Sequence, residues 1–319
     1  MYRIGIDLGG TNIAAAVVSR DFKILKKMSV PTGADREADL IMDDMAELCR
    51  NVCKAANIDL SEVEAIGIAS PGIVDHTDGK VVYSCNLPFL KYDMCKELAK
   101  RTGVDNIHAE NDANAAAWGE AVAGAARGTD DSVMITLGTG VGGGVIIGGK
   151  VFSGFNYAGT ELGHIVIQVN GRPCGCGRLG CWEAYSSATG LINMTREKLA
   201  ECEEKGIKTS MTDFVEKYGK VNGRVAFDAA RQGDKAAEEV VDEYVLYLAS
   251  GLASMINIFQ PEVLSIGGGV SGEGQYLLDK LVPIIRKEQY GGSYIKLTDI
   301  RIAELGNDAG IIGAAFLGI

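Results

Sequence analysis

Residues 4–18, IGIDLGGTNIAAAVV, and residues 133–147, VMITLGTGVGGGVII, align without a gap. Leu8 falls over Leu137, Gly9 over Gly138, and both segments close on an aliphatic run. Each reads as strand, tight glycine turn, strand, because apolar and β-branched residues flank a cluster that suits only a turn. Two copies so far apart do not describe a solenoid, whose repeats are shorter and more numerous. They predict two related α/β domains, each opening on a β-hairpin. A chain of 319 residues is long enough to bury two cores.

The remaining periodicities fit this plan. Ile41, Met45, Leu48 and Val52 recur at spacings of four, three and four, one apolar stripe of a helix, with Cys49 and Cys53 expected in the core beside it. VEAIGIAS (63–70) predicts a buried strand ending at Pro71-Gly72, and NIHAE (106–110) another that runs into an Ala-rich helix from Ala113. A helical tract over 236–258, a strand in VLSIGGG (263–269), a helix from about Gln275 and an apolar helical tail, NDAGIIGAAFLGI, complete the order. That tail is expected to pack back on another domain.

Charge excludes several classes of function. The formal net charge of −11, with no local Lys/Arg block, offers nothing to nucleic-acid phosphates or anionic lipid. The chain opens on a strand rather than a basic leader, and no apolar run is long enough to span a bilayer, so a cytoplasmic protein is expected. In a reducing compartment eight cysteines do not make a disulfide framework, and clustered ones point to metal.

Both glycine turns offer backbone N–H groups with little side-chain bulk, as close approach to a phosphate requires, although such turns also serve structure alone. Gly138-x-Gly140-x-x-Gly143 matches a dinucleotide fingerprint, but that fingerprint needs a helix after the glycines and strand-like VIIGGKVF follows. No GxxxxGK[ST] loop is present. Asp7, beside the first turn, suits either Mg²⁺ held through water or a bond to its own turn. In HAENDANAAAW (108–118) a strand delivers Glu110, Asn111 and Asp112 to a helix start. Asn111 or Asp112 can cap that helix, or the helix dipole can keep Asp112 ionised to take a proton from an attacking hydroxyl.

GRPCGCGRLGC (171–181) concentrates three cysteines, and His164 precedes them in the pattern H-x9-C-x-C-x4-C. Three thiolates and an imidazole make a closed tetrahedral site for structural Zn²⁺ at His164, Cys174, Cys176 and Cys181. If one ring nitrogen of His164 binds the metal, the other is free to donate a hydrogen bond of fixed orientation. Glu161 and Glu183 flank the cluster, which then acts as a frame for side chains that grip a ligand.

DLGGT (7–11), ASPG (69–72), NLP (86–88), END (110–112), LGTGVGGG (137–144), ELGH (161–164), CGCGRLGCWE (174–183) and IGGG (266–269) resemble the motifs of the ROK family (repressors, open reading frames and kinases), and within it the bacterial ATP-dependent glucokinases. The likeness runs the whole length, and the pairing of ELGH with CxCGxxGCxE is its most specific part. It implies a two-lobed actin-like, ribonuclease-H-like ATPase fold. The lobes are expected at 1–112 plus 306–319, with the C-terminal helix packed back, and at 113–305, carrying the zinc loop and the adenosine side.

The implied activity is phosphorylation of glucose at its 6-hydroxyl by ATP with Mg²⁺. By the same resemblance Asp112 is the base, and sugar hydroxyls meet Asn111, Asp112, Glu161, His164 and Glu183, with Gly72 and Asn86 nearby. Nucleotide binding falls to Asp7, Gly9, Gly10, Thr11 and Asn12 in the first hairpin and to Gly138, Thr139 and Gly140 in the second. Gly267, Gly268 and Gly269 take the adenosine side. N-acetylglucosamine, N-acetylmannosamine, fructose and allose kinases share these motifs. Repressors of the family place a helix-turn-helix before the first hairpin, which here begins at residue 2, so a repressor is not expected. A homodimer or homotetramer is expected.

Overall fold

The computed structural model describes residues 2–319. The first glycine segment forms the expected hairpin: β1 (Tyr2–Leu8) and β2 (Asn12–Ser19) pair antiparallel, with Leu8 opposite Ile13. β3 (Ile24–Pro31) adds to the outer edge, its side chains mostly in solvent. α1 (Ala38–Ala55) then crosses over to β4 (Val63–Ser70), which returns parallel to β1. Three short strands, β5 (Ile73–Asp75), β6 (Lys80–Tyr83) and β7 (Leu90–Tyr92), form a separate antiparallel sheet. α2 (Met94–Thr102) leads to β8 (Ile107–Asn111), parallel to β4. The sheet order is β3-β2-β1-β4-β8. Ile4, Ile6 and Leu8 bury against Ile41, Met45, Leu48 and Val52 of α1. Cys49 and Cys53 lie in that core as expected, and burial pushes their thiols up to about 12 and about 11.

α3 (Asp112–Ala123) precedes the second hairpin, β9 (Ser132–Leu137) and β10 (Val141–Ile147), which β11 (Lys150–Val151) extends. The helices α4 (Glu183–Ser186), α5 (Ala188–Lys205), α6 (Met211–Tyr218), α7 (Val225–Arg231) and α8 (Lys235–Phe259) follow. Next come β12 (Val263–Gly267), α9 (Gln275–Glu288), β13 (Asp299–Ile302) and α10 (Ala309–Ala315). The second sheet runs β11-β10-β9-β12-β13, the order of the first sheet strand for strand: hairpin with its extra edge strand, then two further strands reached by crossovers. The repeat in the sequence is therefore a repeat of topology.

The chain divides into two compact units, one made of residues up to 134 with 144–160 and 303–319, the other of 135–143 with 161–302. This differs from the expected boundary after residue 112. α3 starts there and packs along α10, so it stays with the first sheet, and the division cuts through the second hairpin instead. α10 lies against β1, β4 and α3 with almost no side chain between: added methyl groups at Gly5, Gly67 and Gly119 would meet the carbonyls of Ile311, Ala314 and Ala309. Among the described residues no helix is long and apolar enough to cross a membrane.

Candidate active site

In the first unit the carboxyl ends of β1, β4 and β8 lie side by side, with Asp7 level with Ala69 and Ser70 level with Asn111. Ligands of parallel α/β sheets bind just beyond such ends. The turn after β1 holds Gly9, Gly10, Thr11 and Asn12. Gly9 N–H bonds Asn12 O at 3.0 Å, and Thr32 braces the turn through its hydroxyl to Gly9 O (2.6 Å) and its N–H to Thr11 O (2.9 Å). The space beyond Gly10 is open: a methyl group there would touch only Asn86 Cβ, at 3.9 Å. After β4, Gly72 has φ +101°, and a side chain would run into the Tyr83–Ser84 backbone, so glycine is required at this bend. Asn111 Nδ2 donates to Gly72 O at 3.1 Å.

Asn111 is the cap of α3. Its Oδ1 accepts the N–H groups of Ala113 (2.9 Å) and Asn114 (3.1 Å). Asp112 is the first helical residue and shares the Ala113 N–H at 2.9 Å. Its carboxylate is therefore not needed to terminate the helix. Desolvation raises its pKa above the ordinary aspartate value, outweighing the bonds from Ala113, its own N–H and Asn111. The helix terminus favours the charged form, but crowding by protein is the larger effect and the net direction is upward, although Asp112 remains exposed to solvent. Asp7 is raised as well, first by desolvation and then by the charge of Asp112, with Lys27 opposing. Two acids that repel each other in this way suit a divalent cation beside them.

In the second unit the turn after β9 is pinned by Gly138 N–H to Gly140 O (3.0 Å), Ala188 N–H to Gly138 O (2.9 Å) and the Thr189 hydroxyl to Thr139 O (2.7 Å). Nothing stands within 4 Å of a methyl group placed on Gly138. Gly140 is different, because a side chain there would collide with the Glu183 carboxylate. Its smallness makes room for Glu183, so a substitution at Gly140 would disturb that carboxylate as well as the turn. Glu183 Oε2 accepts Val141 N–H at 3.0 Å while Oε1 lies 3.5 Å from Cys174 Sγ, so this one carboxylate ties the second hairpin to the cysteine loop. Gly267 ends β12. Gly268, with φ +82°, packs on the Leu137 backbone, and Gly269 is open.

His164, Cys174, Cys176 and Cys181 converge, their ligand atoms all within 4.8 Å of one another. Cys174 Sγ lies 3.7 Å from His164 Nδ1 and Cys176 Sγ lies 3.6 Å from Cys181 Sγ. A tetrahedral ion with metal–sulfur bonds of about 2.3 Å holds its ligands about 3.8 Å apart, so the donor set and its spacing fit zinc. Since Nδ1 faces the thiols, Nε2 is the nitrogen left over. The loop is built from tight turns, Cys174 N–H to Arg178 O (2.9 Å) and Gly177 N–H to Cys174 O (3.0 Å), and Arg178 reaches back to His164 O at 3.1 Å. Next to Cys181, Trp182 is fully buried against Gly251 of α8 and donates to Tyr247 O at 3.1 Å, which anchors the cluster to the longest helix. Glu161 is exposed at the start of the turn that carries His164.

Two residues with no role assigned from sequence are built into the end of β8. Glu110 is buried, and His76, in the turn after β5, places Nδ1 3.0 Å from Glu110 Oε2. No periodicity links residues 76 and 110; the pairing exists only because β5 packs by β8.

A model of the ROK family matches residues 3–319. A glucokinase of Thermotoga maritima is 40% identical over 98% of this chain and 95% of its own length, and a glucokinase of Streptomyces coelicolor is 35% identical over 98% and 96%. Among solved structures, a ROK family glucokinase from Streptomyces griseus, in complex with glucose and AMPPNP, superposes with a TM-score of 0.80 at 36% identity, covering 99% of both chains. The architecture is the mixed α/β, actin-like ATPase fold of those proteins, and this chain belongs to the ROK family.

Proposed function

We propose that this protein is a glucokinase, transferring the γ-phosphoryl group of ATP to the 6-hydroxyl of glucose. The observation that carries the reading is the division of labour at the end of β8: Asn111 caps the helix, which leaves the Asp112 carboxylate free to accept a proton beside the first glycine turn. The glucokinase relatives, similar along almost the whole chain, support glucose as the sugar.

In this reading Asp112 takes the proton of the attacking hydroxyl, and its raised pKa makes it a stronger base than an ordinary aspartate. Asn111 and Gly72 set the orientation of that strand end. Backbone N–H groups of the two glycine turns hold the phosphates, and Gly267–Gly269 border the adenosine. Asp7 would hold Mg²⁺, which when bound would supply neutralisation of charge on the transferring phosphoryl group. Zn²⁺ on His164, Cys174, Cys176 and Cys181 is structural, since four protein ligands leave no position for water. His164 then presents Nε2–H to a sugar hydroxyl, while Glu161 and Glu183 accept hydroxyl protons. Phosphoryl transfer asks mainly for positioning and charge stabilisation, and these residues supply both. We place the protein in the cytoplasm, as a homodimer or homotetramer.

The test is a coupled assay with ATP as donor across glucose, N-acetylglucosamine, N-acetylmannosamine and fructose. Glucose should give the highest kcat/KM. No turnover of glucose, or a tenfold preference for another sugar, overturns the assignment.

A further inference from the structure

We propose that His76 is a positioning residue of the phosphoryl-acceptor site, acting through Glu110 and Asn114 on the Asn111–Asp112 strand end and on the 157–160 segment. The proposal deepens the kinase reading above and rests on it.

Glu110 is the hub. Its side chain is 4% exposed, so its lone pairs must be satisfied by protein. Oε1 accepts Asn111 N–H at 2.8 Å, the peptide group immediately before Asp112, and Asn114 Nδ2–H at 3.1 Å. Oε2 has His76 Nδ1 at 3.0 Å. The hydrogen bond to Glu110 holds the His76 pKa above its ordinary value, against partial burial, with the charges of Glu110 and Asp75 adding to the rise. The bond is therefore a charge-assisted one when the ring is protonated.

From Glu110 the network continues to a second place of interest. Asn114 Oδ1 lies 3.1 Å from the Thr160 hydroxyl, which also contacts Gly159 O at 2.6 Å. Thr160 has φ +66°, a conformation costly for a β-branched residue and one that persists only where neighbours hold it. The next residue in the chain is Glu161, proposed above to grip the sugar. Tyr157 is likewise left-handed, with φ +63°. Its ring stands edge-on to His76, with centroids 5.1 Å apart, and its hydroxyl bonds Thr77 Oγ1 at 3.0 Å. His76 thus touches both ends of the network, the buried carboxylate behind Asp112 and the strained segment that leads to Glu161. Neither contact reaches a reacting atom, so its role is to hold others in place.

The experiment compares His76→Leu, which removes the donor to Glu110, with His76→Asn, whose Nδ2 replaces imidazole Nδ1 as donor without the ring. Steady-state kinetics are read per folded molecule, with melting temperature alongside, using whichever hexose the wild-type protein turns over best. A change of preferred sugar would then revise the glucose assignment without touching this test. His76→Leu should raise the sugar KM and lower kcat, together costing about ten- to a hundredfold in kcat/KM for sugar, with KM for ATP within twofold of wild type. His76→Asn should recover to within threefold. A loss of folded protein with sugar KM unchanged, equal damage in both variants, or wild-type kinetics in His76→Leu would each overturn the proposal.

Discussion

Two adjacent polar residues at the end of β8 carry different duties. Asn111 completes the hydrogen bonds of the first turn of α3, and Asp112, one position on, is spared the cap and is the residue we propose as the base. Asp112→Asn should therefore leave the melting temperature nearly unchanged, since the amide oxygen can still accept from Ala113 and the cap is untouched. Turnover should fall by about a hundred- to ten-thousand-fold, the range for loss of a general base. Glucose affinity by calorimetry should weaken far less. A folded variant turning over within threefold of wild type would refute the role. The raised pKa also sets the sign of the pH dependence, because the base works only when ionised. In wild type kcat/KM should decline as pH falls through a value above the ordinary aspartate range, and a profile flat down to that range would contradict the assignment.

At the scale of elements the decisive piece is the segment from the turn at Leu162–His164 to α4, which has little regular structure. Tight turns and two isolated bridges, Val166 with Cys181 and Pro173 with Leu179, hold it together, and the buried Trp182 ties it to α8. Such a loop has little regular structure of its own, so the zinc proposed above would fix its geometry. Elemental analysis should find one zinc per chain, and Cys176→Ser should lose it and weaken glucose binding together, because His164 and Glu183 both contact Cys174 within the same cluster. A zinc-free protein with wild-type glucose affinity would break that link. The same segment shows how far sequence reading reaches. The ligand spacing is legible because thiolates and imidazole are chemically distinctive and lie within one short stretch. The contact of Glu183 with Val141 and Gly140 is not, since it joins residues about forty positions apart through a turn that only the fold brings near.

Across the whole molecule, the return of the chain end to the first sheet is the feature that most depends on small residues. Gly67→Val should disrupt the seat of α10 by forcing a side chain into the Ala314 carbonyl, an overpacking defect of at least about 1–3 kcal/mol, seen as a lowered melting temperature. An unchanged melting temperature would mean that α10 yields without cost. Glu120, fully buried, secures the same return by accepting N–H groups from Ala125 (2.7 Å), Glu304 (3.1 Å) and Leu305 (2.8 Å), a role that nothing near residue 120 announces. Local sequence by itself determined the duplicated hairpins, several of the main strands and helices, the cysteine–histidine cluster and the family, because each is written in short-range periodicity or in residue types with a single chemistry. Only the tertiary structure decided which of Asn111 and Asp112 caps the helix, that Gly140 yields space to Glu183, where the compact units divide, and that His76 meets Glu110 and Glu120 meets Glu304 and Leu305. Each of those depends on groups far apart in the chain meeting at hydrogen-bond distance, and a buried polar group takes whichever partner the completed fold delivers.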